Sequence, residues 1–417
     1  MNAAIARAER REALGLAAIV GEGLLSRLSF GVVSFALPLY ARRMGVGIAE
    51  IGFLVGLNGA VAIALKPLCG WATDRFGARR SLLVAVALRS VVSLLLVFAT
   101  GLGQLYAIRA LHGVAMGLRD PAAAVLLAGG AEKRVASRFG WYQSAKSLGG
   151  SLGKGLAGFL IALTGSRYPA VFFGAFALSA LPLAVVALYV HDPADAGAAA
   201  SPADAPRPTA RPAARRRVAA YAGLGLLVAA TAEMLNQLFP VLATEVAGLS
   251  AAQAGAVYLG GSVLAVAAGP IFGWLSDRIG DRPVLLVRGV SNVLSSVAFL
   301  VAPNLAGVAV ARVADDLGKG AFRPAWGKLM ARVAKEEPST RARTMSWLGM
   351  GEDLGELLGP LLAGALWSAF GIGVALGARI ALALVSEVYA VRVAHAFDRP
   401  PAQAEAAPLA ACGGDGR

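Results

Sequence analysis

Long apolar runs alternate with short polar stretches along the whole chain. There are twelve such runs, each close to the roughly 20 apolar residues with which a helix crosses a bilayer. The predicted spans lie at about 15–40, 49–71, 81–100, 102–128, 140–163, 168–190, 219–243, 250–274, 282–302, 304–331, 344–369 and 372–396. The pattern therefore predicts an all-α integral membrane protein.

Two stretches lack apolar periodicity and divide the chain. Residues 191–217 are rich in proline and alanine and end in a run of arginines, with six predicted spans on either side. We interpret them as a flexible cytoplasmic linker between a first six-helix bundle, 1–190, and a second one, 218–397. Residues 398–417, after the last span, predict a disordered C-terminal tail.

Composition and charge agree with a membrane location. The chain is 57% hydrophobic and 15% charged, whereas a soluble domain carries about 25% charged residues. A net charge of +14 is compatible with nucleic-acid binding, but the lysines and arginines cluster in loops on one side of the predicted spans. By the positive-inside rule, both termini lie in the cytoplasm of a bacterial-type inner membrane, and no nucleic-acid partner is expected.

Several kinds of chemistry are not supported by the residues present. The three histidines do not cluster, so no metal site is expected. No G-x-x-x-x-G-K-[ST] loop is present, so ATP is not the direct energy source, and no cofactor is expected. An integral-membrane enzyme stays a distant alternative, since no Ser/His/Asp or cysteine-nucleophile constellation supports it.

A loop sequence occurs twice, once in each half of the chain. GWATDRFGARRSLL, Gly70 to Leu83, returns as GWLSDRIGDRPVLL, Gly273 to Leu286, with an offset of 203 residues in a chain of 417. Each copy stands between two predicted spans. Two equivalent helix bundles with the same loop in the same place are typical of secondary transporters.

Both loops resemble the G-x-x-x-D-R-x-G-x-R signature that transporters of the major facilitator superfamily (MFS) carry between their second and third helices. RALHGVAMG, Arg109 to Gly117, is similar to the R-x-x-Q-G pattern of the fourth MFS helix, with His112 in the glutamine position. The resemblance implies an MFS-like fold, in which two six-helix bundles related by pseudo-twofold symmetry rock around a central cavity. It also implies a proton-coupling role for Arg109.

The repeated loop predicts a charged latch that holds one side of the transporter shut. An acid just past a helix end can pair with a neighbouring arginine, and a glycine permits the tight turn. The predicted gating residues are Asp74, Arg75, Gly77 and Arg79, their counterparts Asp277, Arg278, Gly280 and Arg282, and Glu352, Asp353 and Glu356, one of which would pair with Lys66. The alternative is that the loop charges are only solvated.

Polar residues that occur in one half only are candidates for binding substrate. Charges inside a membrane are costly unless they face protein or water, which makes them functional candidates. The predicted substrate-binding residues are Arg27, Lys66, Arg119, Lys146, Lys154 and Asn236. The fifth span would face the eighth, which contains no acid, so Lys146 and Lys154 would lack a partner there and favour an anionic ligand. The alternative is a lysine that snorkels toward the membrane surface.

A second set of residues can carry the coupling proton. The candidates are Glu22, Arg109, His112, Glu233, Asp315 and Asp316. Glu22 and Glu233 are the lone acids of their spans. Asp315 and Asp316 point about 100° apart on a helix, so one would face the cavity while the other binds Arg312 or Lys319. Each candidate has a structural alternative, and for Arg109 it is a buried pair with an acid.

Together these features predict a proton-coupled secondary transporter that exports a small organic compound, with an anion as the favoured substrate. GELLGPLLAG, Gly355 to Gly364, resembles a glycine–proline pattern of MFS exporters, although it lies in the eleventh span and the fifth has Gly153–Lys154 instead. The alternatives are proton-coupled uptake of an organic anion and a membrane scaffold or receptor without transport activity. A monomer is expected, with the bilayer and a small molecule as partners.

Overall fold

A computed structural model describes residues 2–128, 135–191, 212–279, 281–335 and 341–397, and these residues form twelve long helices without strands. In chain order the helices are α1 Asn2–Arg43, α2 Ile48–Phe76, α3 Ala78–Phe98, α4 Leu102–Ala128, α5 Val135–Leu163, α6 Tyr168–Tyr189, α7 Pro212–Asn236, α8 Ala251–Ile279, α9 Asp281–Val301, α10 Leu305–Lys335, α11 Arg341–Phe370 and α12 Ile372–Phe397. A short turn, Phe239–Val241, and a π-helical turn, Leu242–Val246, extend α7. The twelve predicted spans are therefore confirmed as helices.

Six of the described helices are long and apolar enough to cross a membrane by length and composition alone. They are α1, α2, α3, α6, α7 with its extension, and α12. Helices α4, α10 and α11 carry several charged residues within their length. Because a charge is costly in lipid, such helices are expected to turn their charged faces toward protein or water.

The first six and the last six helices form two bundles with the same internal packing. In the first bundle α1 packs on α5 and α6, α2 on α4, and α3 on α4 and α6. In the second bundle α7 packs on α11 and α12, α8 on α10, and α9 on α10 and α12. Each contact in one bundle has its equivalent in the other, which confirms the predicted pseudo-twofold, MFS-like architecture.

Two seams of small residues join the bundles, α2 against α11 and α5 against α8. A Cβ atom added to Gly52 would lie 2.6 Å from the Pro360 carbonyl oxygen, and one added to Gly158 would lie 2.8 Å from the Gly255 Cα. Gly52 and Gly364 form one seam, and Gly255 and Gly158, their repeat equivalents, form the other. Glycine is required here because the helix backbones touch.

The two bundles are pressed together at the end of the molecule that we call the far side, opposite the linker side where α6 ends and α7 begins. There the Arg42 guanidinium of α1 donates to both carboxylate oxygens of Glu245, at 2.7 and 3.0 Å. These residues are 203 positions apart, so they are equivalents in the repeat that meet across the pseudo-twofold axis. Opposite charges at equivalent positions let the halves attract instead of repel.

The bundles separate toward the linker side. The polar contacts between them that involve described residues on this side are the Lys66–Asp353 ion pair and the bond from the Arg323 guanidinium to the Ser147 hydroxyl, at 2.6 Å. Side chains that face the space between the bundles, such as Asp120 and Glu356, are exposed. We infer from these few contacts and exposed side chains that a cleft runs from the linker side to the glycine seams.

The predicted domain boundaries can be followed only in part. Residues 192–211 of the predicted linker and the whole predicted tail, 398–417, lie outside the described residues. Helix α7 already begins at Pro212, which falls inside the range 191–217 that the sequence predicts as linker. The proline at the first helical position is favourable, because its missing N–H has no partner in the first turn of any helix.

Candidate substrate and ion sites between the helix bundles

A buried ion pair occupies the middle of the first bundle. The Arg119 guanidinium of α4 donates to both oxygens of the Glu22 carboxylate of α1, at 2.8 and 3.0 Å, and both side chains are buried. The expectation that Glu22 is a lone acid is therefore wrong, because its partner comes from a helix 97 residues away. Arg119, predicted to bind substrate, instead neutralises this carboxylate.

Lys146 of α5 has an acidic partner from its own bundle. Its Nζ lies 3.6 Å from the Asp120 Oδ1 of α4 and 5.3 Å from the centre of the Tyr142 ring. The expectation that Lys146 lacks a partner is wrong, because its acid comes from α4 of the same bundle and not from α8 of the other bundle. Asp120 is half exposed toward the cleft, so this pair lies at the cleft wall.

Arg109, the arginine of the fourth-helix motif, donates hydrogen bonds mainly to backbone carbonyl groups. Arg109 donates from Nε to the Leu54 carbonyl at 3.1 Å, and from Nη2 to the Val55 carbonyl at 2.8 Å and to the Asn58 side-chain oxygen. These acceptors belong to α2. No carboxylate pairs with Arg109 among the described residues, so the predicted alternative of a buried ion pair is wrong.

His112 lies one helical turn from Arg109 and is 2% exposed. Neither ring nitrogen has a hydrogen-bond partner in the described part of the chain. Its ring meets the edge of Phe30 with centroids 5.0 Å apart, and the guanidiniums of Arg27 and Arg89 lie 5.3 Å from the same phenyl ring. Cations therefore surround the histidine.

Asp315 and Asp316 of α10 are both neutralised inside the second bundle. Asp316 accepts from Arg312 at 2.8 Å, and Asp315 pairs with Lys319 at 2.6 Å and with Arg379 at 2.9 Å. Asp315 is 0% exposed and Asp316 is 2% exposed. The expectation that one of them faces the cavity is wrong, because cations from α9, α10 and α12 enclose the pair.

Arg379 of α12 is a structural residue that the sequence pattern did not single out as a candidate. Besides Asp315, it donates to the Thr231 carbonyl at 2.9 Å and to the Ser296 hydroxyl at 2.7 Å, and it makes two bonds to Asn292. It thereby ties α7, α9, α10 and α12 together. A charge inside an apolar span was the available signal for it.

A polar cluster spans the two bundles where the cleft ends at the glycine seams. We call it the cleft junction; it consists of Lys154 of α5, Glu233 and Asn236 of α7, and Tyr258 of α8. Lys154 Nζ donates to the Tyr258 hydroxyl at 2.7 Å and to Asn236 Oδ1 at 3.3 Å. Asn236 Nδ2 donates to both Glu233 oxygens, at 2.9 and 3.1 Å.

The charges of the cleft junction do not pair directly. As the sequence led us to expect, α5 faces α8, and Lys154 meets neutral groups there. Among the described residues, no carboxylate oxygen lies within 4.0 Å of the Lys154 Nζ and no cationic nitrogen lies within 4.0 Å of the Glu233 carboxylate. The junction thus places one positive and one negative side chain in different halves, with a neutral amide between them.

Helix α11 brings three carboxylates to the cleft. Asp353 pairs with Lys66 of α2 across the cleft, as the sequence predicts for one of these acids. Glu352 and Glu356 make no ion pair among the described residues, and Glu356 is exposed. Glu356 lies within electrostatic range of Glu233 in its own half and of Arg27 in the other. The second-half wall of the cleft is therefore mainly acidic.

The predicted latch can be judged in the first copy of the loop. Gly77 has φ 90°, which a glycine adopts without strain, and it joins α2 directly to α3. Asp74 and Arg75 are exposed, and Asp74 makes no ion pair among the described residues. The solvated alternative fits this open cleft better than a closed latch does. Arg79 instead donates to the Ala187 carbonyl at 2.9 Å.

The second copy of the loop is described only in part. Gly280 and the side chains of Asp277 and Arg282 lie outside the described residues. The Arg278 guanidinium stacks on the Trp274 ring at 4.3 Å from its centre. The latch role of both loops stays a prediction.

The sequence model of the Major Facilitator Superfamily matches residues 23–308 and 221–411. The Mycobacterium tuberculosis protein named "Probable nitrate/nitrite transporter NarK2" is 28% identical over 341 residues, which cover 79% of this chain and 82% of that protein. The Staphylococcus aureus quinolone resistance protein NorA is 26% identical over 167 residues, which cover 40% of this chain and 42% of that protein.

Solved structures share the fold over almost the whole chain. A bacterial homologue of the human lysosomal transporter Spinster, in an inward-facing and unoccupied conformation, has a TM-score of 0.77 at 18% identity and covers 94% of this chain and 99% of its own. The nucleoside transporter NupG has a TM-score of 0.72 at 16% identity, over 92% and 99% of the two chains. At such identities the similarity concerns the fold alone.

Proposed function

The chain belongs to the Major Facilitator Superfamily, and we propose that within it this multi-pass membrane protein is a proton-coupled secondary transporter that exports a small organic anion. It would work by alternating access, with the proton gradient as the driving force and without a cofactor. It would act as a monomer in a bacterial-type inner membrane, with both termini in the cytoplasm. In that orientation the described cleft opens to the cytoplasm, from which an exporter loads.

The observation that carries the proposal is Lys154. This lysine sits at the closed end of the cleft and contacts only neutral groups among the described residues, the Tyr258 hydroxyl and the Asn236 amide. A cation held this way can exchange a weak neutral partner for an anionic one, which gives a stronger, charge-assisted hydrogen bond. Arg27 of α1, which lies within electrostatic range of Glu356 across the cleft, adds positive charge to the same wall.

Proton coupling is assigned to Glu233, because it is joined to Lys154 through Asn236 and has no cationic partner within 4.0 Å among the described residues. Loading a proton on Glu233 would weaken its bonds from Asn236 and so change the partner available to Lys154. Export is supported by the similarity to the quinolone resistance protein NorA, which covers 40% of the chain.

The test is transport by the purified chain in proteoliposomes with an imposed pH gradient. The panel consists of organic anions, organic cations, neutral compounds, nitrate and nitrite. We expect gradient-driven movement of an organic anion that Lys154→Ala abolishes and Lys154→Arg partly retains. Glu387→Gln serves as the control, because Glu387 lies against Gly289 between α9 and α12, away from the cleft.

A second candidate substrate is a small inorganic anion. The similarity to the protein named for nitrate and nitrite covers 79% of the chain, about twice the share covered by the NorA similarity. Movement of nitrate or nitrite in preference to every organic anion would favour this candidate. Reversing the pH gradient would then test for uptake. No substrate-dependent flux in the whole panel would contradict both candidates and favour a scaffold or receptor without transport activity.

A further inference from the structure

Asn236 stands between two opposite charges with its amide oriented to suit both. The amide oxygen can only accept and the amide nitrogen can only donate. The oxygen faces Lys154 and the Tyr258 hydroxyl, which lie 3.3 and 2.5 Å away, and the nitrogen faces the two Glu233 oxygens. The side chain therefore presents an acceptor to Lys154 of the first bundle and to the neutral Tyr258 hydroxyl, and a donor to Glu233 of the second bundle.

The walls of the cleft repeat this polarity on a larger scale. On the first-bundle wall, Arg27 and Lys154 form no ion pair among the described residues. On the second-bundle wall, Glu233 and Glu356 also form none among those residues. Unpaired charge thus faces unpaired charge of the opposite sign across the cleft.

A ligand with a single charge can satisfy only one of the two walls. A simple anion would pair with Lys154 and leave two carboxylates of the opposite wall close to its own negative charge. Like charges at such distances repel, and unpaired ions away from bulk water are costly. A ligand that carries both a carboxylate and an ammonium group would neutralise both walls and would connect the two bundles.

We propose that the transported compound is a zwitterion of amino-acid type, with a carboxylate and a basic amine a few bonds apart. Its carboxylate replaces the Asn236 amide oxygen at Lys154, and its ammonium group replaces the amide nitrogen at Glu233, with Glu356 as the second acceptor. This inference rests on the proposed transport function and narrows its substrate class from organic anions to those that also carry an amine.

The test compares three forms of the same compounds in proteoliposomes. The panel consists of α-amino acids and dipeptides, each with its N-acetyl derivative, which lacks the positive charge, and its methyl ester, which lacks the negative charge. We expect at least one zwitterion to be transported roughly tenfold or more faster than both of its derivatives, because a site built for both groups rejects an analogue that lacks one.

Variants assign each charge to its wall through binding, which does not depend on proton coupling. Binding is measured as the ligand-dependent rise in the unfolding temperature of the purified protein. The double variant Glu233→Gln with Glu356→Gln should lose the preference for the zwitterion over its N-acetyl derivative. Lys154→Gln should instead lose the preference over the methyl ester, and Glu387→Gln should keep both preferences.

The outcomes separate this inference from the proposed function. If the N-acetyl derivatives move as well as their parent compounds, or if only anions without an amine move, the inference is overturned and anion transport stands. In that case Glu233 and Glu356 would carry protons and would not bind an ammonium group. If only the esters move, or if no member of the panel and no other anion moves, both the inference and the proposed function fail.

Discussion

Arg109 in the first bundle and Arg312 in the second occupy equivalent positions of the repeat, and both are 2% exposed. Arg109 donates to backbone carbonyls of α2, whereas Arg312 binds Asp316 and lies 3.7 Å from the centre of the Tyr258 ring. The repeat preserves a buried arginine at this depth, but each bundle compensates its charge with different groups.

The difference follows from the residues three and four positions further along the two helices. Asp315 and Asp316 in the second bundle stand where the first has His112 and Gly113. The two aspartates neutralise cations from three helices. In the first bundle Glu22 neutralises Arg119, and no carboxylate pairs with Arg89 or Arg109 among the described residues. The second bundle therefore pairs these buried cations with carboxylates, whereas the first bundle leaves two buried arginines to backbone and aromatic contacts.

The largest effect is expected from Asp315→Asn. This change removes the carboxylate that Arg288, Lys319 and Arg379 share and leaves buried cations without a partner. We expect a loss of about 3–5 kcal/mol in the free energy of unfolding, measured by thermal unfolding in detergent. Asp353→Asn is the matched control, because its pair with Lys66 is partly exposed. Loss of that pair should lower the free energy of unfolding by only about 0–1 kcal/mol. Equal losses would show that Asp315 does not hold its bundle together.

Glu22→Gln should lower the free energy of unfolding by about 3 kcal/mol, because it leaves the buried Arg119 guanidinium with only the longer contact to Asp120, at 3.8 Å. Removing both charges, in Glu22→Gln with Arg119→Met, should recover part of this loss, because the buried Arg119 charge is then removed together with its partner. Thermal unfolding of the two variants side by side measures the difference. A double variant less stable than the single one would mean that the pair is not the compensating contact of the first bundle.

The glycine seams test whether the two halves still behave as equivalents. Gly158→Ala and Gly364→Ala each place a Cβ against the facing backbone. Each should therefore lower the free energy of unfolding by about 1–3 kcal/mol, and the two losses should be similar. Gly150→Ala on α5 is the control, because nothing lies within 4 Å of its added Cβ. Clearly unequal losses at the two seams would show that only one of them holds the far side closed.

The smallest effect is expected at the far-side pair of Arg42 and Glu245. Both side chains are about one-third exposed, so Arg42→Gln should lower the free energy of unfolding by only about 0–1 kcal/mol. The consequence should appear in gating, as faster labelling of a cysteine introduced at Thr244. The exchanged pair, Arg42→Glu with Glu245→Arg, should restore slow labelling. Unchanged labelling in Arg42→Gln would exclude a gating role for the pair.

Local signals were sufficient for the fold. The twelve spans follow from the length of each apolar run, and the two equivalent bundles follow from the loop repeated 203 residues apart. The same repeat singled out Arg109 with Arg312, and the absence of acids in the eighth predicted span, 250–274, pointed to Lys154. These features depend on composition and spacing along the chain, which a sequence displays directly.

The partners of the charged residues were decided only by the tertiary structure. Glu22 of α1 pairs with Arg119 of α4, and α1 also lies closely against α5, where its Leu24 and Leu28 carbonyls meet Gly149 and Gly153. Such contacts set the depth and rotation of each helix. A helix turns its side chains by about 100° per residue, so a small rotation decides whether a charge meets another helix, the cleft or lipid. Sequence spacing contains no direct measure of that rotation, and Arg379 with its four helices was missed for this reason.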